Sequence, residues 1–345
     1  MPVSFVHLQV HSEYSLLSAL PTVRELVAQA ARLRLPALAL TDFGNLFGAI
    51  EFYTEAMRAG IKPILGMEAY LCADHTAKDP SGSRAPVYPR VVLLARNMRG
   101  WKNLIRLSSL GYLEGFYWRP RIDHAQLAAH ADGLVAITSG WHGEIEQLIR
   151  AGRTSEAEAR ARWYREVFGS RFFIAVQRTG VEGQEELNER MVELARRHDI
   201  PLVATNDVHM LHPSDYEIYR TMLRIQPAGR SDEETVNVTE ECFLRAPEIM
   251  AEDLFGDLPE AVANTVAIAR MCNVDLPFGQ YQLPEVEPPE GLTQEDYLRR
   301  LAYEGLDARW PEITARNPKA KRADYEQRLD FELATIARMG YVGYF

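Results

Sequence analysis

The sequence predicts an α/β fold in which a parallel sheet closes, or nearly closes, into a barrel. Three observations predict it. Seven apolar, strand-like runs recur between residues 3 and 207. Most are followed by a helical pattern, and strict alternation of strand and helix places successive strands parallel in one sheet that curls at this strand number. Beyond about residue 275 the alternation ends, which sets a domain boundary.

The elements follow in order. "VSFVHLQV" (3–10) reads as a strand. "TVRELVAQAARLRL" (22–35) reads as a helix, with Thr22 as its cap and Glu25 completing a capping box. "ALALTD" (37–42) is a buried strand, and "LFGAIEFYTEAMRAG" (46–60) is a helix that stops at Gly60. "KPILGMEAYL" (62–71) is a strand, and the polar stretch 74–86, rich in Pro, Gly and Ser, is a loop. "RVVLLAR" (90–96) is a strand before a helix over 99–112. "GLVAITS" (133–139) is a strand before helices over 143–151 and 154–168. "RFFIAVQ" (171–177) is a strand before a helix over 182–198. "PLVATND" (201–207) is the last strand, before a helix over 213–224. Residues 275–292 hold four prolines and no periodicity, so they read as a linker. Two helical stretches follow, 293–309 and 321–339, and the sequence ends inside the apolar run "ARMGYVGYF", as a piece of a longer chain would.

Composition narrows the function. Apolar residues make up 47% of the 345, enough for a large core and too many for a disordered chain. No apolar stretch approaches the roughly 20 residues a membrane span needs, and the N-terminus lacks the pattern of a signal peptide. Cys72, Cys242 and Cys272 form no CxxC pair, which fits a reducing cytoplasm and argues against a disulfide framework or a cysteine-type zinc site. The net charge of −10 argues against a surface devoted to phosphate backbones and for a cavity of carboxylates or a basic partner.

In a βα barrel the site lies at the C-terminal ends of the strands. His11, Asp42, Glu68, Asp207 and His209 all fall there. Taken singly, a His or Asp at a strand end caps a turn. Imidazoles and carboxylates converging from separate strands make a divalent-metal site, and the spacing of Asp207 and His209 points both the same way in an extended segment. The role of His7 is left open by its spacing. There is no GxxxxGK[ST], GxGxxG or GxSxG motif. "YLEGFYWRP" (112–120) is aromatic and partly basic, and reads first as packing over a helix end, second as a base-stacking surface.

"FVHLQVHSEYSLL", "PALALTDFGNLFGAIEFY", "AGIKPILGMEAYL", "PLVATNDVHML", "ANTVAIARMCNVDLP" and "MGYVGYF" together carry a resemblance. The chain resembles, over its whole length, the polymerase-and-histidinol-phosphatase (PHP) domain family as found at the start of bacterial replicative DNA polymerase III alpha subunits. The resemblance implies a distorted (β/α)7 barrel over 1–275, then a mainly helical extension over 276–345 that begins the palm and thumb region.

Intact PHP sites hold up to three divalent metals with nine residues. On that pattern this sequence keeps His11, Glu68, Asp207 and His209. Gln9 stands where the first His of HxH is expected, Ser18 for an acidic residue, Phe43 for the His of "DHG", Arg90 for a His and Gly140 for a Cys or His, with His142 near enough to compensate in part. Asp42 persists as a neighbour of the ligands. The resemblance therefore implies a depleted site holding at most one weakly bound divalent ion, with the fixed charge of Arg90 pairing Glu68, Asp207 or Asp42 in place of a cation. It implies no catalytic residue in this segment, the polymerase aspartates and their Mg²⁺ lying further on. The implied role is scaffold and docking surface for a proofreading exonuclease subunit among other replicase subunits, with DNA held by later domains. Two alternatives stand beside it: an active metal-dependent phosphoesterase or 3′–5′ exonuclease, and an independent small-molecule phosphatase. Five altered ligand positions disfavour the first, since one lost ligand or its support weakens a site roughly 10- to 100-fold. The tail after 275 disfavours the second.

Overall fold

A computed structural model describes residues 4–78, 87–225, 238–279, 286–289 and 291–345. Its spine is a curled sheet. Strand β1 (Ala37–Leu40) pairs in parallel with β2 (Lys62–Cys72). Next comes β3 (Arg90–Ala95), antiparallel to β2 and to β6 (Leu134–Thr138), and then β7 (Phe172–Gln177) and β8 (Leu202–Thr205), both parallel. The all-parallel expectation therefore fails at β3. The sequence offers no helical pattern between β2 and β3, and without a crossover helix a neighbouring strand returns antiparallel. Residues 79–86 of the predicted 74–86 loop lie outside the described residues.

The predicted strand over 3–10 is also corrected. A bend at Gln9 breaks it into two bridges, His7 to Leu38 on one side and Val10 to Val208 on the other. Thr41 N donates to Val10 O at 2.8 Å and His11 N to Val208 O at 2.9 Å. This segment is the stave that joins β1 to the chain following β8, so the barrel is a distorted (β/α)7 one. A short hairpin, β4 (Phe116–Tyr117) with β5 (Arg119–Asp123), extends the sheet beside β2 and was not predicted.

The helices cover the outside. α1 (Val23–Arg32) starts with the predicted capping box, Thr22 N donating to Glu25 Oε2 at 2.9 Å. α2 (Ala49–Arg58) and α3 (Met98–Leu113) follow their strands, and Asn97 caps α3. A short helix, α4 (His124–Ala129), follows the hairpin, then α5 (Glu144–Arg150), α6 (Thr154–Phe168), α7 (Gln184–Arg197) and α8 (Tyr216–Ile225).

Apolar residues line the barrel interior at every second position: Ala37 and Ala39, Val92 and Leu94, Val135 and Ile137, Phe173 and Ala175. An unpredicted helix, α9 (Pro259–Met271), plugs the far end by adding Ile268 and Ala269 to this layer. Val6 N donates to its Thr265 Oγ1 at 3.1 Å.

The chain divides into two compact units at Leu276/Pro277. The second contains α10 (Gln294–Arg316) and α11 (Arg322–Arg338), tied by an Arg299–Asp330 ion pair of 2.6 Å. Among the described residues no helix is long and apolar enough to cross a membrane.

Candidate metal centre

The period-two pattern that fills the barrel interior also builds its mouth. Side chains two apart on a strand share a face. Continuing the apolar series by one step gives Ser139 above Ile137, Gln177 above Ala175 and Thr205 above Val203. Two steps from Ile64 give Glu68, and Asp207 follows β8 in a left-handed turn with φ +47°. On antiparallel β3 the upper end is its first residue, so the series Leu94, Val92 reaches the mouth at Arg90. Arg90 arrives there only because β3 runs backwards. The bent stave adds Gln9 and His11. All of these side chains are buried.

Glu68 is the hub. Its Oε1 forms an ion pair with Arg90 Nε at 2.9 Å and accepts from Ser139 Oγ at 2.5 Å, and its Oε2 faces Gln9 Nε2 at 2.9 Å and His11 Nε2 at 3.2 Å. Asp207 Oδ1 lies 3.2 Å from Gln9 Nε2, from His11 Nε2 and from His209 Nε2. The Gln9 amide thus donates to both carboxylates. Its Oε1 accepts from Gln177 Nε2 at 2.9 Å, and Gln177 also donates to Thr205 Oγ1 at 3.0 Å. Gly140 has φ +55°, and a Cβ there would sit 1.8 Å from Gln177 Oε1. Gln177 therefore fills the space a larger residue at 140 would need.

Phe43 packs in a column of flat groups. Its ring stacks on His11 with centroids 4.1 Å apart, His11 stacks on His209 at 4.6 Å, and the Arg90 guanidinium lies 4.5 Å from the Phe43 centroid. A phenyl ring offers no lone pair, so this position contributes packing and a cation–π contact.

Electrostatics follow from burial and pairing. Burial alone would lower the His11 pKa, but bonds to Asp207 and Glu68 outweigh it and lift it to about 9. Burial would raise Glu68, yet the charge of Arg90 and the bond from His11 hold it below its usual value. Asp207 is held well below the usual carboxylate range, against burial, by His209 and His11. Burial, helped by the charge of Arg90, keeps His142 well below its usual range.

One part of the constellation fits a divalent ion. The donor atoms of His11, Asp207 and His209 lie within 4.8 Å of one another. His209 Nδ1 donates to Ser18 O at 2.6 Å, which fixes the tautomer and leaves Nε2 facing the shared carboxylate, as in a supported metal ligand. A metal held there by His11, Asp207, His209 and Glu68 would supply Lewis-acid polarisation. The rest of the mouth is occupied by protein groups, with Arg90 and Gln9 satisfying the carboxylates.

Other predicted positions play different parts. The Ser18 hydroxyl turns to Leu16 O at 3.3 Å, so only its carbonyl reaches the site. Asp42 accepts from Ser12 N at 2.7 Å and Ser15 Oγ at 2.6 Å, fixing the loop that carries His11. His7 Nε2 bonds Arg245 O at 2.9 Å, away from the mouth. Ser139, Gln177 and Thr205 escaped the sequence reading; their signal was position, polar residues ending an inward apolar series.

The PHP domain family model matches residues 7–179. The chain is 39% identical over 345 residues to DNA polymerase III subunit alpha of Borreliella burgdorferi, covering 99% of this chain and 29% of that protein. It is 40% identical over 347 residues to the subunit of the same name from Treponema pallidum, with 99% and 29% covered. It is 40% identical over 322 residues to that from Thermus aquaticus, with 90% and 26% covered. The chain thus spans under a third of the length of these relatives.

Proposed function

The chain belongs to the PHP domain family, and from that premise we propose that it is the N-terminal region of a replicative DNA polymerase whose barrel serves as scaffold instead of hydrolase. Residues 1–275 form the PHP barrel on this reading, and 276–345 open the palm and thumb region. Nucleotidyl transfer with its Mg²⁺, and the main contacts to DNA, belong to the longer cytoplasmic protein. The barrel presents a docking surface to the proofreading exonuclease subunit within the replicase.

The observation that carries the reading is the replacement of cations by protein. Arg90 Nε lies 2.9 Å from Glu68, and the Gln9 amide bonds both Glu68 and Asp207. Two-metal phosphoester hydrolysis needs an activated water and a second charge on the leaving oxygen. Here the second charge is a guanidinium, fixed on a carboxylate and stacked on Phe43, with no vacant coordination to offer. The trio His11, Asp207 and His209 supports a second reading, a single-ion phosphoesterase or 3′–5′ exonuclease.

One assay separates them. The chain is incubated with single-stranded DNA and with simple phosphate esters in zinc, manganese or magnesium, beside a Gln9→His/Phe43→His/Arg90→His variant. The scaffold reading expects no hydrolysis by the parent chain. Metal-dependent hydrolysis by the parent, abolished by His11→Ala, overturns it. Co-elution of the chain with the exonuclease subunit tests the docking role separately.

A further inference from the structure

The C-terminal end of α3 and the β4–β5 hairpin turn aromatic rings outward. Phe47, Tyr112, Phe116 and Trp118 are 57%, 38%, 48% and 43% exposed. The Tyr112 ring lies 5.9 Å from Phe47 and 6.1 Å from Phe116, nearly parallel to the latter at 21°. Trp118 takes φ +59°, a conformation disfavoured for a bulky side chain. Such strain is often kept at functional positions. The set borders the barrel mouth, because Arg119 lies over Tyr70 at 5.7 Å and Tyr70 lies 6.0 Å from Phe43.

The charge of this stretch opposes that of the chain. Residues 98–121 carry five Lys or Arg against Glu114 alone, a local +4 within a net −10. Lys102 and Arg106 are exposed, four residues apart on one face of α3, and neither forms an ion pair among the described residues. Arg99, by contrast, is engaged by Asp132 at 2.6 Å.

We propose that this face binds single-stranded nucleic acid. Bases stack on Tyr112, Phe116 and Phe47, which suits any sequence because every base has a π-face. Phosphates meet Lys102 and Arg106. Exposed rings and two cations carried by the same helix match a polyanion of flat units, and the aliphatic Ile105 and Leu113 exposed between them make a protein contact the competing outcome of the test. The inference goes beyond the scaffold reading and does not depend on it, since it concerns the outer face and not the metal-binding mouth.

The test is fluorescence anisotropy of a labelled oligo(dT) titrated with the chain. Tyr112→Ala/Phe116→Ala is expected to weaken binding about tenfold or more, at an unchanged melting temperature. Tyr112→Leu/Phe116→Leu, which keeps apolar area without π-faces, is expected to weaken it similarly. Each phosphate neutralised on a single strand contributes about −0.7 to the salt slope, so Lys102→Glu/Arg106→Glu reduces the slope by about 1.4 or more. That pair therefore accounts for roughly sevenfold of the loss between about 50 and 200 mM salt. No binding at about 100 µM chain, or binding that survives these substitutions or is fully restored by leucine, overturns the proposal and reassigns the face to a protein contact.

Discussion

Replacing Arg90 with alanine tests whether a fixed guanidinium stabilises the mouth. Glu68 is fully buried and forms an ion pair with Arg90, its Oε1 2.9 Å from Nε. Breaking a buried ion pair from one side costs about 3–5 kcal/mol, because the other charge is stranded. Glu68 keeps Ser139 at 2.5 Å, Gln9 at 2.9 Å and His11 at 3.2 Å, which places the loss at the lower end. The contact with Phe43 adds about 0.5–1 kcal/mol. The sum is roughly 3–4 kcal/mol, or a melting temperature lower by roughly 7–14 °C for a domain of this size. Urea denaturation followed by circular dichroism measures it. Arg90→Lys, which keeps the charge, is expected to recover more than half, and millimolar zinc or manganese is expected to raise the midpoint of Arg90→Ala more than that of the parent. A loss under about 1 kcal/mol for Arg90→Ala, or a lysine as damaging as alanine, refutes the reasoning.

Glu146 is buried without an ion-pair partner among the described residues, and burial lifts its pKa from 4.5 to about 8. The folded state keeps this proton while the unfolded chain loses it above 4.5, so stability falls as pH rises between 4.5 and about 8, by up to about 1.4 kcal/mol per unit. Glu146→Gln is expected to flatten that slope, and equal pH profiles for the two proteins would count against it. Gly140→Ala is expected to cost roughly 2–4 kcal/mol through a strained φ and a clash with Gln177, with part recovered by adding Gln177→Ala; strict additivity in denaturant midpoints would refute the contact. Elemental analysis of the purified chain is expected to find at most one divalent ion, removed by His11→Ala, and two or more tightly held ions would contradict a depleted site.

Charged and imidazole side chains at strand ends were legible in the sequence, because alternation fixes both strand and face. Glu68 reaches the mouth for that reason, whereas His11 follows the bend at Gln9 and Asp207 lies beyond β8 with φ +47°, so irregular backbone completes the set. Arg90 was expected at the site from the family resemblance and pairs Glu68 as expected, but the reason a strand-start residue reaches the mouth, that β3 runs antiparallel, is a property no single strand's sequence carries. Gln177 and Ser139 were invisible because a search for ligands passes over neutral amides and hydroxyls, although these complete the hydrogen-bond network. Ser18 was read as a side chain and acts through its carbonyl, which every residue shares. The plugging helix Pro259–Met271 went unread. It buries small and mixed residues, among them Ala261, Thr265 and Ala269, instead of one strong apolar stripe.

The stave that closes the ring has a bearing on synthesis. Phe5, Val6, Leu8 and Val10 are fully buried, yet their partners come late: Val208 bridges Val10, and Thr265 bonds Val6. A ribosome adds about 5–20 residues per second, so roughly 10–50 s pass before those partners have been translated. For that interval the segment can pair with β1, through His7 and Leu38, but lacks its later partners Val208 and Thr265. Its full docking waits on those later residues, and it brings Gln9 and His11 between Glu68 and Asp207. Until then those two carboxylates lack the groups that bridge them, so the electrostatic strain of the mouth is concentrated in the closing step.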